Sequence, residues 1–241
     1  MQLPNVNGFF LHQPDTNSPL TETLAETDKM VKEGLIKEIG MSNYSALELQ
    51  RTLDICKEKG LTPPTQFQAL YNPLNRKIEK ELIPILRSAG IRLVAYNPLA
   101  AGMLTGKHKA GQEVAAGRFK DNPNYLGRFY KDDCFAGLSM IQEACDTVGI
   151  TLLQATFSWL MHHSALQEGD AILLGASKVE HLEANIKAAH ESTPLPEEVL
   201  AAFEKAWAGC EEEAFPFWRS YSLDQPGRED LDPGAAYVVK K

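Results

Sequence analysis

Residues 35–46, LIKEIGMSNYSA, decide the fold. Leu35 to Ser42 reads as a strand entered from Gly34, a left-handed stop, and Ser45 with Glu48 forms a capping box that starts a helix. That helix carries Leu49, Leu53 and Cys56 on one face and ends at Gly60. The same unit is written on either side. Upstream, Val6 to His12 (VNGFFLH) is a short aromatic and β-branched strand followed by the turn-rich QPDTNS. Pro19, after Ser18 as N-cap, then opens a helix with Leu20, Leu24, Thr27 and Val31 at helical spacing. Downstream, Thr65 to Tyr71 is a strand, Ile78 to Ala89 a helix, and Ile91 to Tyr96 the next strand.

Further along, residues 107 to about 131 are polar and lack a period, which predicts a long surface loop with short helical pieces. Helices are expected over 132–148 and 151–163, and a fifth strand at Ala171 to Leu174. Val179, Leu182, Ile186 and Ala189 place an apolar stripe on the next helix. Val199, Leu200, Phe203 and Trp207 face inward from a final helix over 197–208. Residues 209–241 form an irregular tail, part of which folds back over the body, because Phe215, Phe217, Trp218 and Tyr221 are too apolar for solvent. About five strand–helix alternations specify an α/β chain with a parallel sheet. No GxGxxG follows the first strand. Polar residues instead gather where strands end, at His12, Ser42 and Asn43, Gln68 and Tyr71, Asn97, and Gly175 with Ser177, as on the active face of a (β/α)8 TIM barrel.

The 241 residues carry 24 Lys and Arg against 32 Asp and Glu, a net charge of −8, which argues against a nucleic-acid-coating surface. No apolar run approaches the ~20 residues of a membrane span. Cys56, Cys134, Cys145 and Cys210 are widely spaced without a CxxC pair, so neither a disulfide framework nor a metal site is expected, and a reducing cytoplasmic setting fits. His162 and His163 are adjacent on a helix and point to different sides, a poor metal pair.

The segments FFLHQPD, EGLIKEIGMSNYSA, QALYNPLNR, AYNPLAAGMLTGK, GRF, LLGASKVEHLEANI and PFWR run nearly end to end through the chain. Together they resemble the aldo-keto reductase superfamily, in its branch of aflatoxin-aldehyde and succinic-semialdehyde reductases. The resemblance implies an NADPH-dependent carbonyl reductase with an Asp, Tyr, Lys and His constellation. In it a Tyr hydroxyl donates the proton, a Lys held by an Asp lowers the Tyr pKa, and the His orients the carbonyl. His12 matches that His. The other three belong to βα units ahead of the His strand, so the sequence reads as about the last five units of the barrel, a partial barrel. With roughly 30 residues per unit, about 90 lie outside it. Tyr44, Tyr71 and Tyr96 each occupy another motif. The single domain expected over 1–241 is thus N-terminally incomplete, and its open edge calls for cover by the tail or a homodimer partner.

The cofactor residues implied are more complete. Ser42, Asn43 and Gln68 match the holders of the nicotinamide carboxamide, and Tyr71 the residue stacked on its ring. The stretch from Asn97, Pro98 and Leu99 through Gly102, Leu104 and Gly106 to Lys107 matches the pyrophosphate loop, and Arg118 a phosphate-side arginine. Gly175, Ser177, Lys178, His181 and Asn185 match the adenosine 2′-phosphate site. There Lys178 favours NADP, while His181 stands where the family has Gln or Arg. Tyr125, Arg128 and Arg219 match substrate-facing residues able to anchor a carboxylate. Two readings stay open: a reductase of small aldehydes or ketones whose 241-residue portion is inactive or impaired by itself, or a nucleotide-binding regulatory module like the potassium-channel β subunits.

Overall fold

In the computed structural model, residues 3–15, 18–112 and 117–219 are described. The elements follow the expected alternation: β1 (Val6–Leu11), α1 (Leu20–Lys32), β2 (Ile36–Ser42), α2 (Ala46–Lys59), β3 (Gln66–Leu70), α3 (Ile78–Ala89) and β4 (Arg92–Tyr96). After a 3-10 turn at Ala100–Thr105 come α4 (Pro123–Phe129), α5 (Asp132–Val148), α6 (Leu152–His162), β5 (Ala171–Ile172), α7 (Val179–His190) and α8 (Glu197–Cys210). The sheet order is β1-β2-β3-β4-β5, the sequence order that a parallel, partial barrel requires.

The chain divides into two compact units. The first comprises the described residues of Met1–Ala69, Ile78–Val94 and Pro216–Lys241; the second comprises Leu70–Lys77 and Ala95–Phe215. In the first, β1 and β2 pair in parallel with Val6 opposite Ile36 and Leu11 opposite Met41. Phe10 lies over Gly40, and a Cβ at Gly40 would run into its ring. Ile36, Ile39, Met41 and Phe67 on the strands are buried, as are Leu24, Leu49, Leu82 and Leu86 on the helices. Glu38 on β2 ties the strands together. It accepts from Gln66 Nε2 at 2.5 Å and pairs with Arg92, and these donors hold its carboxyl below the ordinary range. The Ser45–Glu48 capping box is present, and Gly60 ends α2 in the left-handed region. Ser18, expected to cap α1, does not: Pro19 takes the cap position, and its carbonyl accepts the N–H groups of Glu22 and Thr23.

The second unit is built on helices. Trp159 of α6 packs against Tyr71 and Phe203, and α5 lies along α8, with Gly137 so close that a Cβ there would sit 3.1 Å from Ala206 Cβ. The described part of residues 107–131 is less superficial than its composition implies, since Phe119 and Phe129 are wholly buried. The fifth strand has two residues rather than four. On α7 the stripe of Val179, Leu182 and Ile186 is exposed, while the buried positions are Asn185 and Ala188. Among the described residues no helix is long and apolar enough to cross a membrane.

Candidate functional site

In the first unit the ends of β1, β2 and β3 gather one group. Ser42 and Gln68 stand opposite one another in the β2–β3 register, which puts a hydroxyl and a carboxamide in one row. Asn43 follows at φ 63°, a left-handed conformation that asparagine adopts more readily than most residues. Its Nδ2 donates to the His12 carbonyl at 2.7 Å and to Ser42 Oγ at 3.1 Å, and its own carbonyl accepts the Arg219 N–H at 2.9 Å. Ser42 and Asn43 are buried, Gln68 is half-buried, and the His12 side chain is exposed. Arg219 Nη1 reaches Gln13 Oε1 at 3.4 Å. The structure thus joins His12, Ser42, Asn43, Gln68 and Arg219 around the end of β2.

In the second unit the chain leaves β4 through an unusual backbone. Asn97, Ala100, Ala101, Gly102 and Gly106 all have positive φ, between 47° and 107°. Five left-handed residues within ten fold the segment onto itself, and the Lys107 side chain returns over it. A Cβ at Gly102 would lie 3.1 Å from Lys107 Cε and 3.2 Å from Nζ, so only glycine leaves the ammonium this seat. The Asn97 carbonyl accepts from Asn72 Nδ2 at 3.0 Å, whereas Asn97 Nδ2 is buried without an acceptor among the described residues. A cation and an unused amide donor in one glycine-containing loop fit an oxyanion such as a phosphate. Pro98 and Leu104 are buried, Leu99 is half-buried, and none of the three offers a polar side chain.

Tyr71, assigned to ring stacking, is wholly buried; its hydroxyl accepts the Ala165 N–H at 2.8 Å and its ring lies 5.7 Å from Trp159. That placement leaves no ring face open. Tyr125 gathers two arginines: Arg118 Cζ lies 5.1 Å and Arg128 Cζ 5.2 Å from its ring centroid, and Arg118 Nη1 donates to its hydroxyl at 2.9 Å. Arg118 is exposed, whereas Arg128 is buried and also covers Phe215 at 4.6 Å. Gly175, Ser177, Lys178 and His181 are all exposed; Lys178 is the N-cap of α7, and Ser177 Oγ lies 3.4 Å from His181 Nδ1. Asn185, by contrast, is buried.

The family model of the aldo/keto reductase family matches residues 1–208. The chain belongs to the aldo/keto reductase family. It is 40% identical over 219 residues to human aldo-keto reductase family 7 member A3, covering 86% of this chain and 66% of that one. It is equally identical to mouse aflatoxin B1 aldehyde reductase member 2, across 59% of that protein. An aldo-keto reductase of Pseudocercospora fijiensis is 36% identical, with 88% of this chain and 74% of that one covered. The chain therefore spans about three fifths to two thirds of the mammalian relatives. Among solved structures, a glycerol dehydrogenase of Gluconobacter oxydans shares the fold, with a TM-score of 0.68 at 22% identity over 86% of this chain and 60% of that one.

Within this aldo/keto reductase, sequence reasoning passed over the residues that hold the second unit's loops. Asn72 and Asn75 face each other across a small antiparallel bridge; Asn72 fixes Asn97, and Asn75 Nδ2 donates to the Phe215 carbonyl at 2.7 Å. Arg76 pairs with Glu204 and stacks 5.1 Å over Trp159. The signal was the repeated asparagine of YNPLN, since two buried carboxamides in a turn need partners beyond it.

Proposed function

We propose that the protein is an NADPH-dependent reductase of small aldehydes and ketones, and that these 241 residues supply its dinucleotide-binding part. The observation that carries the reading is the Asn97–Lys107 loop, where the Lys107 ammonium sits over Gly102 and the same loop holds the unused amide donor of Asn97. When bound, the dinucleotide supplies the hydride for carbonyl reduction. The protein's own residues bind and orient. The Asn97–Lys107 loop takes the pyrophosphate, and Lys178 with the first turn of α7, a helix of 12 residues, takes the 2′-phosphate. The hydroxyl of Ser42 and the amides of Asn43 and Gln68 meet the donor and acceptor of a carboxamide. His12 orients a carbonyl oxygen. Tyr125, Arg128 and Arg219 are the substrate-facing residues of this reading and favour a substrate with a carboxylate at its far end, as in succinic semialdehyde, while Arg118 serves a cofactor phosphate. Four free, buried cysteines support a cytoplasmic setting.

Of the four groups this chemistry uses, these residues provide the His alone, so by themselves they bind NADPH and turn over aldehydes at least about 10²-fold more slowly than a protein with a positioned proton donor. Fluorescence titration with NADPH tests the reading. Lys107→Ala should weaken binding about tenfold, the worth of one charge-assisted contact. Absence of NADPH binding, or a Lys107→Ala titration superimposable on the wild type, overturns it.

A further inference from the structure

Outside the nucleotide and substrate groups, the second unit brings three metal-ligating side chains together. Gly137 and Ala206 let α5 and α8 approach closely, and one turn away from that contact stand Cys134, three residues before Gly137, and Cys210, four residues after Ala206. Asp133 precedes Cys134 in the first turn of α5. A carboxylate oxygen of Asp133 and the two Sγ atoms all lie within 4.8 Å of one another. Around a tetrahedral ion with S and O ligands at about 2.3 Å and 2.0–2.2 Å, such atoms stand about 3.5–3.8 Å apart, so closure needs side-chain shifts of about 1 Å.

A second observation points the same way. Asp133 Oδ1 accepts the Cys134 N–H at 2.8 Å, but Oδ2 is buried and meets no donor among the described residues. A shielded carboxylate oxygen without a partner is costly unless a proton or cation satisfies it. Cys134 and Cys210 are buried, whereas Asp133 is half-buried and gives an ion its approach.

We propose that Asp133, Cys134 and Cys210 form a binding site for a zinc-class divalent cation, with water as the fourth ligand. Two sulfurs exclude Mg²⁺ and Ca²⁺, which take oxygen ligands. Binding releases the two thiol protons to solvent and leaves no redox change. The ion clips the start of α5 to the end of α8. From that point the chain runs on to Glu213, whose carbonyl accepts from Lys131 Nζ, and to Phe215 beneath Arg128. The wide spacing of these cysteines hides the site in the sequence, because two helices rather than one motif assemble it.

The test uses the full chain, reduced and stripped of metal, titrated with Cd²⁺ while thiolate-to-metal charge-transfer absorbance is followed. One equivalent per chain should bind. Cys134→Ser and Cys210→Ser should each weaken binding at least about a hundredfold, and Asp133→Asn about tenfold. Cys145→Ser, a buried cysteine elsewhere on α5, should match the wild type. Zn²⁺ should raise the melting temperature of the wild type and raise it less in Asp133→Asn, a half-buried position that keeps the test open if a serine variant does not fold. No charge-transfer band, a band that survives in Cys134→Ser and Cys210→Ser, or an Asp133→Asn affinity equal to wild type overturns the site.

Discussion

The end of β2 and the segment Gly175–Asn185 are both read as cofactor-binding, yet they are built in opposite ways. At β2, Asn43 is buried, held at φ 63°, and bonded to the backbone of His12 and of Arg219. From Gly175 to Ala184 every residue is exposed, and among the described residues the side-chain hydrogen-bonding contact there is one 3.4 Å approach of Ser177 to His181. A group fixed by its own fold meets a ligand without further ordering, whereas exposed side chains lose rotamer entropy when a ligand arrives. The first region should therefore govern stability and orientation, and the second the choice between ligands through charge alone.

The largest effect expected from this contrast is on folding. Asn43→Ala removes the donor to the His12 carbonyl and leaves an alanine at positive φ, together about 2–3 kcal/mol. Asn43→Gly keeps the backbone conformation and loses the hydrogen bonds, about 1 kcal/mol. Urea unfolding of the three proteins should rank them wild type, Gly, Ala. An alanine variant as stable as wild type would mean that the end of β2 is no more fixed than Gly175–Asn185.

The next effect is on ligand choice. Lys178 stands at the N-cap of α7 and is exposed, so Lys178→Ala should leave the unfolding curve unchanged and narrow the preference for NADPH over NADH about threefold to tenfold. The difference should shrink as salt shortens the Debye length from about 10 Å at 0.1 M. A preference that ignores both the substitution and the salt would remove the 2′-phosphate from this helix.

How far these regions could be read from sequence follows from the same contrast. The capping box of Ser45 and Glu48 and the left-handed Gly60 were legible because each is a local rule satisfied by neighbours in the chain. Ser42 and Gln68 were found through motifs, and their shared register row follows from parallel pairing. The outward face of α7 was not legible: periodicity locates a stripe at Val179, Leu182 and Ile186, but the face buried is that of Asn185 and Ala188. The burial of Phe119, Arg128 and Phe129 escaped for another reason. Their segment has no period, and an arginine stacked between Tyr125 and Phe215 is a tertiary fact.

The smallest effect sharpens the comparison by acting on the first unit away from its site. Asp28, buried on α1, accepts from Lys32 Nζ at 2.6 Å through Oδ2, and from Thr62 N at 2.9 Å and Thr62 Oγ1 at 2.8 Å through Oδ1. The hydrogen bonds from Lys32 and Thr62 lower its pKa from 3.8 to about 2. A carboxyl depressed in the folded state binds its proton more readily when unfolded. Its contribution to stability is therefore present above pH 3.8 and is lost as pH falls toward 2. Asp28→Asn should lower the melting temperature at pH 7, and the gap to wild type should close between about pH 4 and pH 2. Because Lys32 and Thr62 lie in the same unit as Asn43, the variant loosens the scaffold of the β2 group while the Lys178 contact is untouched. NADPH affinity at pH 7, measured well below the melting temperature, should stay at the wild-type value with the same ratio to NADH. A changed ratio would show that ligand choice depends on the first unit's stability rather than on the charge at α7.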